Sequence, residues 1–407
     1  MNIEGENCVV DLNDTGNASF NDSQLDGLKY TVAPEIFKGS GQLVITNSLS
    51  TESKLLINGY KDYSFMGKLV SFVNIEGDSR GGGFPNAELH LPENVSYTSM
   101  QIEGHRGYIH WGNISGEGNI YCESSQASIP AYFYIGSDKV SSQVPDFKGE
   151  MVLKLTSSVC GGPQLVKTGK NAQRLSGAAN QIDTNPIVRD GSLLIGNDSP
   201  ATDGTTGTLS DSIVFVGDRK TPQNGTPSLL IDGAYNVANE IRVLPSSPEE
   251  AIPAIGGTKN ADGAEFSGDI KLYRDATFFA DTGANVKITG TVSMEGEGNY
   301  NITKSGDGTV EMSASVIANA QGLTLSGGKL DLDGELVIPE SLLWSIGEYV
   351  NLCTDENRKK EFTILTADSI VGKFKVKETL PLGWKVVTNG MSCTLRYGDP
   401  PTIILVR

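Results

Sequence analysis

Short apolar triplets recur along the chain, each bounded by Gly, Asn, Asp or Ser: Leu43–Ile45, Leu55–Ile57, Leu89–Leu91, Tyr132–Ile135, Met151–Leu155, Leu193–Ile195, Ile270–Leu272, Val286–Ile288 and Leu330–Leu332 among them. Each has the length of a strand and is closed by turn-forming residues. No helical segments alternate with them, which excludes βαβ units and leaves a sandwich, a barrel or a coil of short strands. The glycine-flanked form decides: Gly327–Ile338 (GGKLDLDGELVI) predicts a change of direction after three to five residues, which suits a rung of a parallel β-helix.

The expected fold is therefore all-β, a parallel β-solenoid with loop insertions and a small C-terminal β cap. Rungs of ~20 to 25 residues are the expected repeat. Alternation along a strand sends Leu330 and Leu332 inward and Asp331 and Asp333 outward. Residues 1–30, polar and rich in Asn and Asp, read as an N-terminal arm or cap, 31–338 as the solenoid and 339–407 as the C-terminal β module. Asp78–Ala87, Asn197–Asp211 and Pro245–Gly263 read as insertions, either partner-contacting loops or tolerated length variation.

Composition sharpens this picture. With 48 Gly in 407 residues and 38% hydrophobic positions, the chain is turn-dense and suited to thin repeated layers. A net charge of −17 and no basic run beyond Arg358–Lys360 argue against nucleic acid or an anionic lipid surface as partner. Nothing approaches the ~20 apolar residues of a membrane span. Met1–Val10 has no basic segment followed by an apolar stretch, so a secretory signal is expected to be absent from this chain.

The five cysteines, Cys8, Cys122, Cys160, Cys353 and Cys393, form no Cys-x-x-Cys pair, so thiolate metal binding is not supported. The spacings of Cys122 with Cys160 and of Cys353 with Cys393 suit two disulfides in an oxidising compartment; five separate buried thiols are the alternative. Gly77-Asp-Ser-Arg-Gly81 fits the Gly-x-Ser-x-Gly elbow, but Gly82, Gly83 and Pro85 forbid the helix the elbow needs. Only three histidines are present, His90, His105 and His110, which makes histidine chemistry hard to build. Tyr108 and Trp111 could stack on a sugar ring as a glycan contact, or form a packed aromatic rung. Asp331 and Asp333 share an outer strand face, where weak Ca²⁺ association or a two-carboxylate site competes with plain solvation. No catalytic residue and no cofactor are expected.

Two stretches resemble a known repeat. Gly161–Asn180 (GGPQLVKTGKNAQRLSGAAN), followed by Val188–Gly196 (VRDGSLLIG), is similar to the autotransporter-associated β-strand repeat. A second copy runs from Tyr300 to Leu332, with Lys304-Ser-Gly306 and Leu323-Thr-Leu-Ser-Gly-Gly-Lys-Leu330. Phe362–Ala367, Val371–Phe374 and Leu382–Trp384 resemble the module that often ends such passengers. The resemblance implies a right-handed parallel β-helix outside a bacterial cell, and no catalytic residues. The chain departs from the family plan in showing neither a membrane-barrel translocator nor a C-terminal sorting tail.

These readings lead to a non-enzymatic extracellular or cell-surface β-helix, structural or adhesive, with a surface glycan or host partner. The alternative is a carbohydrate-active β-helix such as a polysaccharide lyase, glycosidase or phage tailspike. The apolar segment Ile403, Ile404, Leu405 and Val406 is expected either to close the last rung or to add to a neighbouring copy, head to tail, as in a filament.

Overall fold

The computed structural model describes residues 8–11, 18–21, 40–46, 54–58, 66–72, 74–77, 83–101, 108–124, 131–138, 143–155, 163–199, 207–245, 250–296, 298, 300–338, 343–372 and 374–398. The chain divides into two compact units, Met1–Leu229 with Ser246–Ala251, and Leu230–Pro245 with Ile252–Arg407. Both are built from stacked parallel strands, and the fold is the parallel β-helix that the apolar triplets predict.

In the first unit three parallel sheets run side by side. One contains Lys68–Ser71, Glu88–Leu91, Asn113–Gly116, Asp146–Phe147, Ala172–Leu175 and Ser192–Ile195; a second contains Ser96–Gln101, Asn119–Ser124, Met151–Leu155 and Gln181–Ile182. The third contains Tyr108–Trp111, Tyr132–Ile135, Gln164–Lys167, Ile187–Val188 and Val214–Val216. Within the residues read as an N-terminal arm, strands Cys8–Asp11 and Ala18–Asn21 pair in parallel with Gln42–Thr46 and Lys54–Asn58. Pairing sets the rung length. Ala172 faces Ser192, the compact rung expected, whereas Tyr132 faces Gln164, a longer turn that absorbs inserted residues.

Aromatic side chains fill the wide part of this core. Trp111 is 0% exposed, with its ring 5.5 Å from Phe84 and edge-on to Tyr97 at 6.2 Å; Tyr97 in turn meets Phe133 at 6.4 Å. Such tilted and edge-on contacts are the favoured arrangements for buried rings.

One rung lacks a full strand, and a side chain replaces it. Asn113–Gly116 pairs with the following strand only at Gly116, opposite Phe147. Gln173 lies one turn further on, and its amide closes the gap: Oε1 accepts from the Ile114 N–H at 2.9 Å and Nε2 donates to the Ile114 carbonyl at 2.8 Å. The buried peptide of Ile114 is thereby satisfied across the missing strand. Asn171 does the same for its neighbour, donating to the Gly112 carbonyl at 3.1 Å.

The second unit stacks Ala254–Gly257, Ala276–Ala280, Asn301–Ser305 and Gly322–Leu325 in one sheet, and Asp262–Phe266, Asn285–Ile288, Thr309–Ser313, Lys329–Val337 and Glu361–Val371 in another. Leu330 and Leu332 are buried, Asp331 is half-buried and Asp333 exposed, as alternation requires. The turn expected inside Gly327–Ile338 is a β-bulge instead: Lys329–Val337 runs as one strand whose register shifts between Leu332 and Glu335, around Gly334 at φ +96°. Glu361–Val371, Ser392–Tyr397 and Trp384–Thr388 then pair antiparallel and form the C-terminal cap. Among the described residues the α-helical part is one turn, Ala314–Ala318, and no helix is long and apolar enough to cross a membrane.

Candidate binding surface

Lys167 and Lys304, the lysines of the two Lys-x-Gly motifs, point into the fold. Lys167 is 0% exposed; its Nζ donates to the carbonyls of Thr168 and Gly169, both at 2.8 Å, and across to Asp190 of the next rung at 3.0 Å. Lys304 is 1% exposed and donates to Ser305 at 2.9 Å, Gly306 at 2.6 Å and Gly327 of the next rung at 2.9 Å. In both, the ammonium satisfies carbonyls at a rung corner that no strand ladder reaches. Burial pushes Lys167 down to about 7 and Lys304 to about 8, against the opposing pull of Asp190 and Asp138 on the first and Asp307 on the second. The motif therefore holds the scaffold together.

The outer face of the sheet containing Glu88–Leu91 carries a Ser, a His and a carboxylate together. Ser115 stands beside His90 in register, its hydroxyl donating to Glu88 at 2.5 Å while the His90 Nδ1 lies 2.8 Å from the same oxygen. Lys68 pairs with Glu88 at 3.0 Å, and a cavity of about 510 Å³ opens over these residues. Burial and the Lys68 charge lower the His90 pKa, partly offset by Glu88, so the imidazole is neutral at pH 7. The order of bonds differs from a serine relay: the carboxylate accepts the serine hydroxyl's hydrogen bond, and does not orient the imidazole.

The aromatic outer face lies on the third sheet. Alternation in Tyr108–Trp111 sends Trp111 into the core, where Phe84 and Tyr97 close in its indole, so of the two alternatives Trp111 takes the packed aromatic rung and not the glycan contact. The side chain of Tyr108 lies outside the described residues. His110 faces outward, in register with Tyr134, and the two rings are 5.5 Å apart. Tyr132 follows on the same face, its ring 5.6 Å from that of Tyr134. All three are half-buried.

Two cations border these rings. The Arg189 guanidinium sits 5.8 Å over Tyr134 and grips Asp218 with two of its nitrogens, Nε at 2.9 Å and Nη2 at 2.7 Å. Burial opposes ionisation of Asp218, but the Arg189 hydrogen bonds and charge outweigh it and hold the carboxyl below its usual range. The turn that begins at Asp218 brings Lys220 to 5.6 Å over Tyr132. The sequence reading missed Tyr132, Tyr134, Arg189 and Lys220; the Tyr-Phe-Tyr alternation was the available signal for an aromatic outer face.

The chain matches no family model and no curated protein.

The remaining expected positions separate. Cys353 and Cys393 are free thiols, so the expected bridge between them is corrected, and Cys122 is free and buried in the core; Cys160 lies outside the described residues. Cys393 sits within the antiparallel cap and Cys353 at the end of a 3₁₀ turn, bonded to the Tyr349 carbonyl at 3.9 Å. Burial raises all three thiols, Cys393 to about 11. Asp331 is paired with Lys329 at 2.9 Å and accepts from Thr366, while Asp333 stands exposed. Among the described residues no three His, Cys, Asp or Glu side chains gather as a metal site. Ile403, Ile404, Leu405 and Val406 lie outside the described residues.

Proposed function

We propose that the chain is a non-enzymatic, extracellular β-helix, similar to autotransporter passengers, that acts as an adhesive element through a glycan-binding outer face. The observation that carries this reading is the outward group His110, Tyr134 and Tyr132, half-buried on two neighbouring strands of a parallel sheet with cations over two of the rings. Such rings offer flat apolar faces to pyranoses at little entropic cost, because the sheet already fixes them. The equivalent carbonyl cradles of Lys167 and Lys304 support the resemblance, since both motif copies do the same structural work.

A carbohydrate-active β-helix is the second reading, and the cavity over Glu88, His90 and Ser115 speaks for it. The experiment that tests the first is binding of the full chain to immobilised polysaccharides by surface plasmon resonance. Saturable binding that Tyr134→Ala weakens supports the adhesive role, and no binding to any polysaccharide contradicts it.

A further inference from the structure

We infer that the face formed by His110, Tyr134 and Tyr132, with Lys220 at its border, is a subsite for an acidic polysaccharide of the polyuronate type; this rests on the glycan-binding reading above. The first argument is spacing. Tyr134 lies beside His110 across the strands and beside Tyr132 along its own strand, with ring centroids 5.5 and 5.6 Å apart, so the three rings form a corner whose arms are each about one hexopyranose unit long.

Charge selects the sugar. The protein carries a net −17, which repels a polyanion over most of its surface. At this face exposed cations stand beside the rings. Both oxygens of Asp218 are engaged by Arg189, so that carboxylate presents little free charge. Arg219 and Lys220 follow it on the same turn, both exposed, and Lys220 reaches over the Tyr132 ring. A uronate bound along the rings therefore meets a cation where it carries its carboxylate, and a neutral hexose meets the same rings without that partner.

Calorimetric titration of the full chain with oligogalacturonate, and with a neutral galactan oligomer of equal length, tests this. The expected result is binding of oligogalacturonate that weakens as salt is added. Lys220→Gln should cost about tenfold in affinity for the acidic oligomer and leave the neutral one unchanged, and Tyr132→Ala should weaken both by about tenfold or more. Lys220→Gln changes only an exposed side chain, and circular dichroism verifies the fold of Tyr132→Ala. Equal binding of both oligomers with no effect of Lys220→Gln overturns the acidic specificity and leaves the glycan reading standing. Binding that neither substitution alters places the site elsewhere and overturns the inference. Absence of binding by either oligomer overturns the inference and counts against the reading beneath it.

Discussion

Lys167 and Lys304 occupy equivalent places in separate copies of one motif: Lys167 is the last and Lys304 the penultimate residue of its strand, and each bridges the carbonyls of its own corner to that of the next rung, Asp190 in one copy and Gly327 in the other. The lysine stem crosses the apolar interior and its head replaces the hydrogen bonds that a turning backbone cannot make for itself.

Their titration has a defined sign. Lys167 is lowered to about 7 from an ordinary 10.5, so below pH 7 both folded and unfolded chains are protonated and the burial cost is fully present. Between these values the unfolded chain binds more protons, and stability rises with pH. Urea unfolding of the intact chain should show this rise from pH 7 to 10. Lys167→Met should flatten it and cost about 1 to 3 kcal/mol at pH 7 through the stranded carbonyls. A curve with unchanged slope in the variant contradicts the cradle.

Gly191 guards the same cradle. Its φ is +62°, and a Cβ there would lie 2.4 Å from the Gly169 carbonyl oxygen and 2.9 Å from the Lys167 ammonium. Gly191→Ala is expected to destabilise by about 1 to 3 kcal/mol, the range for left-handed strain at a non-glycine residue. A melting temperature equal to that of the parent would contradict it.

Gln173 is expected to be as sensitive as a core residue although it is polar. Gln173→Leu keeps the volume but strands the Ile114 N–H and carbonyl, at a cost of about 1 to 3 kcal/mol. Hydrogen exchange at Ile114 should quicken by orders of magnitude; unchanged protection would mean that the gap is closed by something else.

Thiol accessibility follows burial. Cys353, partly exposed, should react with iodoacetamide in the folded protein, whereas Cys122 and Cys393 should react only on unfolding. Peptide mass spectrometry after timed alkylation reads this out, and a Cys353–Cys393 bridge recovered without reducing agent would overturn the assignment.

Much of the scaffold was legible because parallel rungs write themselves as apolar triplets between turn residues. Leu330, Asp331 and Leu332 took the faces that alternation assigns. The bulge at Gly334 was not legible, since a glycine in a strand signals an irregularity without saying whether the chain turns or slips. The site was read less well. Period-two alternation already places Tyr108 and Trp111 on opposite faces, yet only packing against Phe84 and Tyr97 shows which face is core. Lys220 and Tyr132 are far apart in sequence, and the turn that joins them has no sequence signature. The cysteine spacings gave loop lengths but no side-chain geometry, which decides whether a bridge can form.

Binding without cleavage separates an adhesive β-helix from a carbohydrate-active one. Size-exclusion profiles of polygalacturonate should be compared before and after prolonged incubation with the full chain, with bound and free polymer separated. The expected result is a polymer that associates with the protein and keeps its length distribution. A distribution that shortens with time, and stops shortening when Ser115→Ala or Glu88→Gln is introduced, would contradict it and assign the chemistry to the cavity over Glu88, His90 and Ser115.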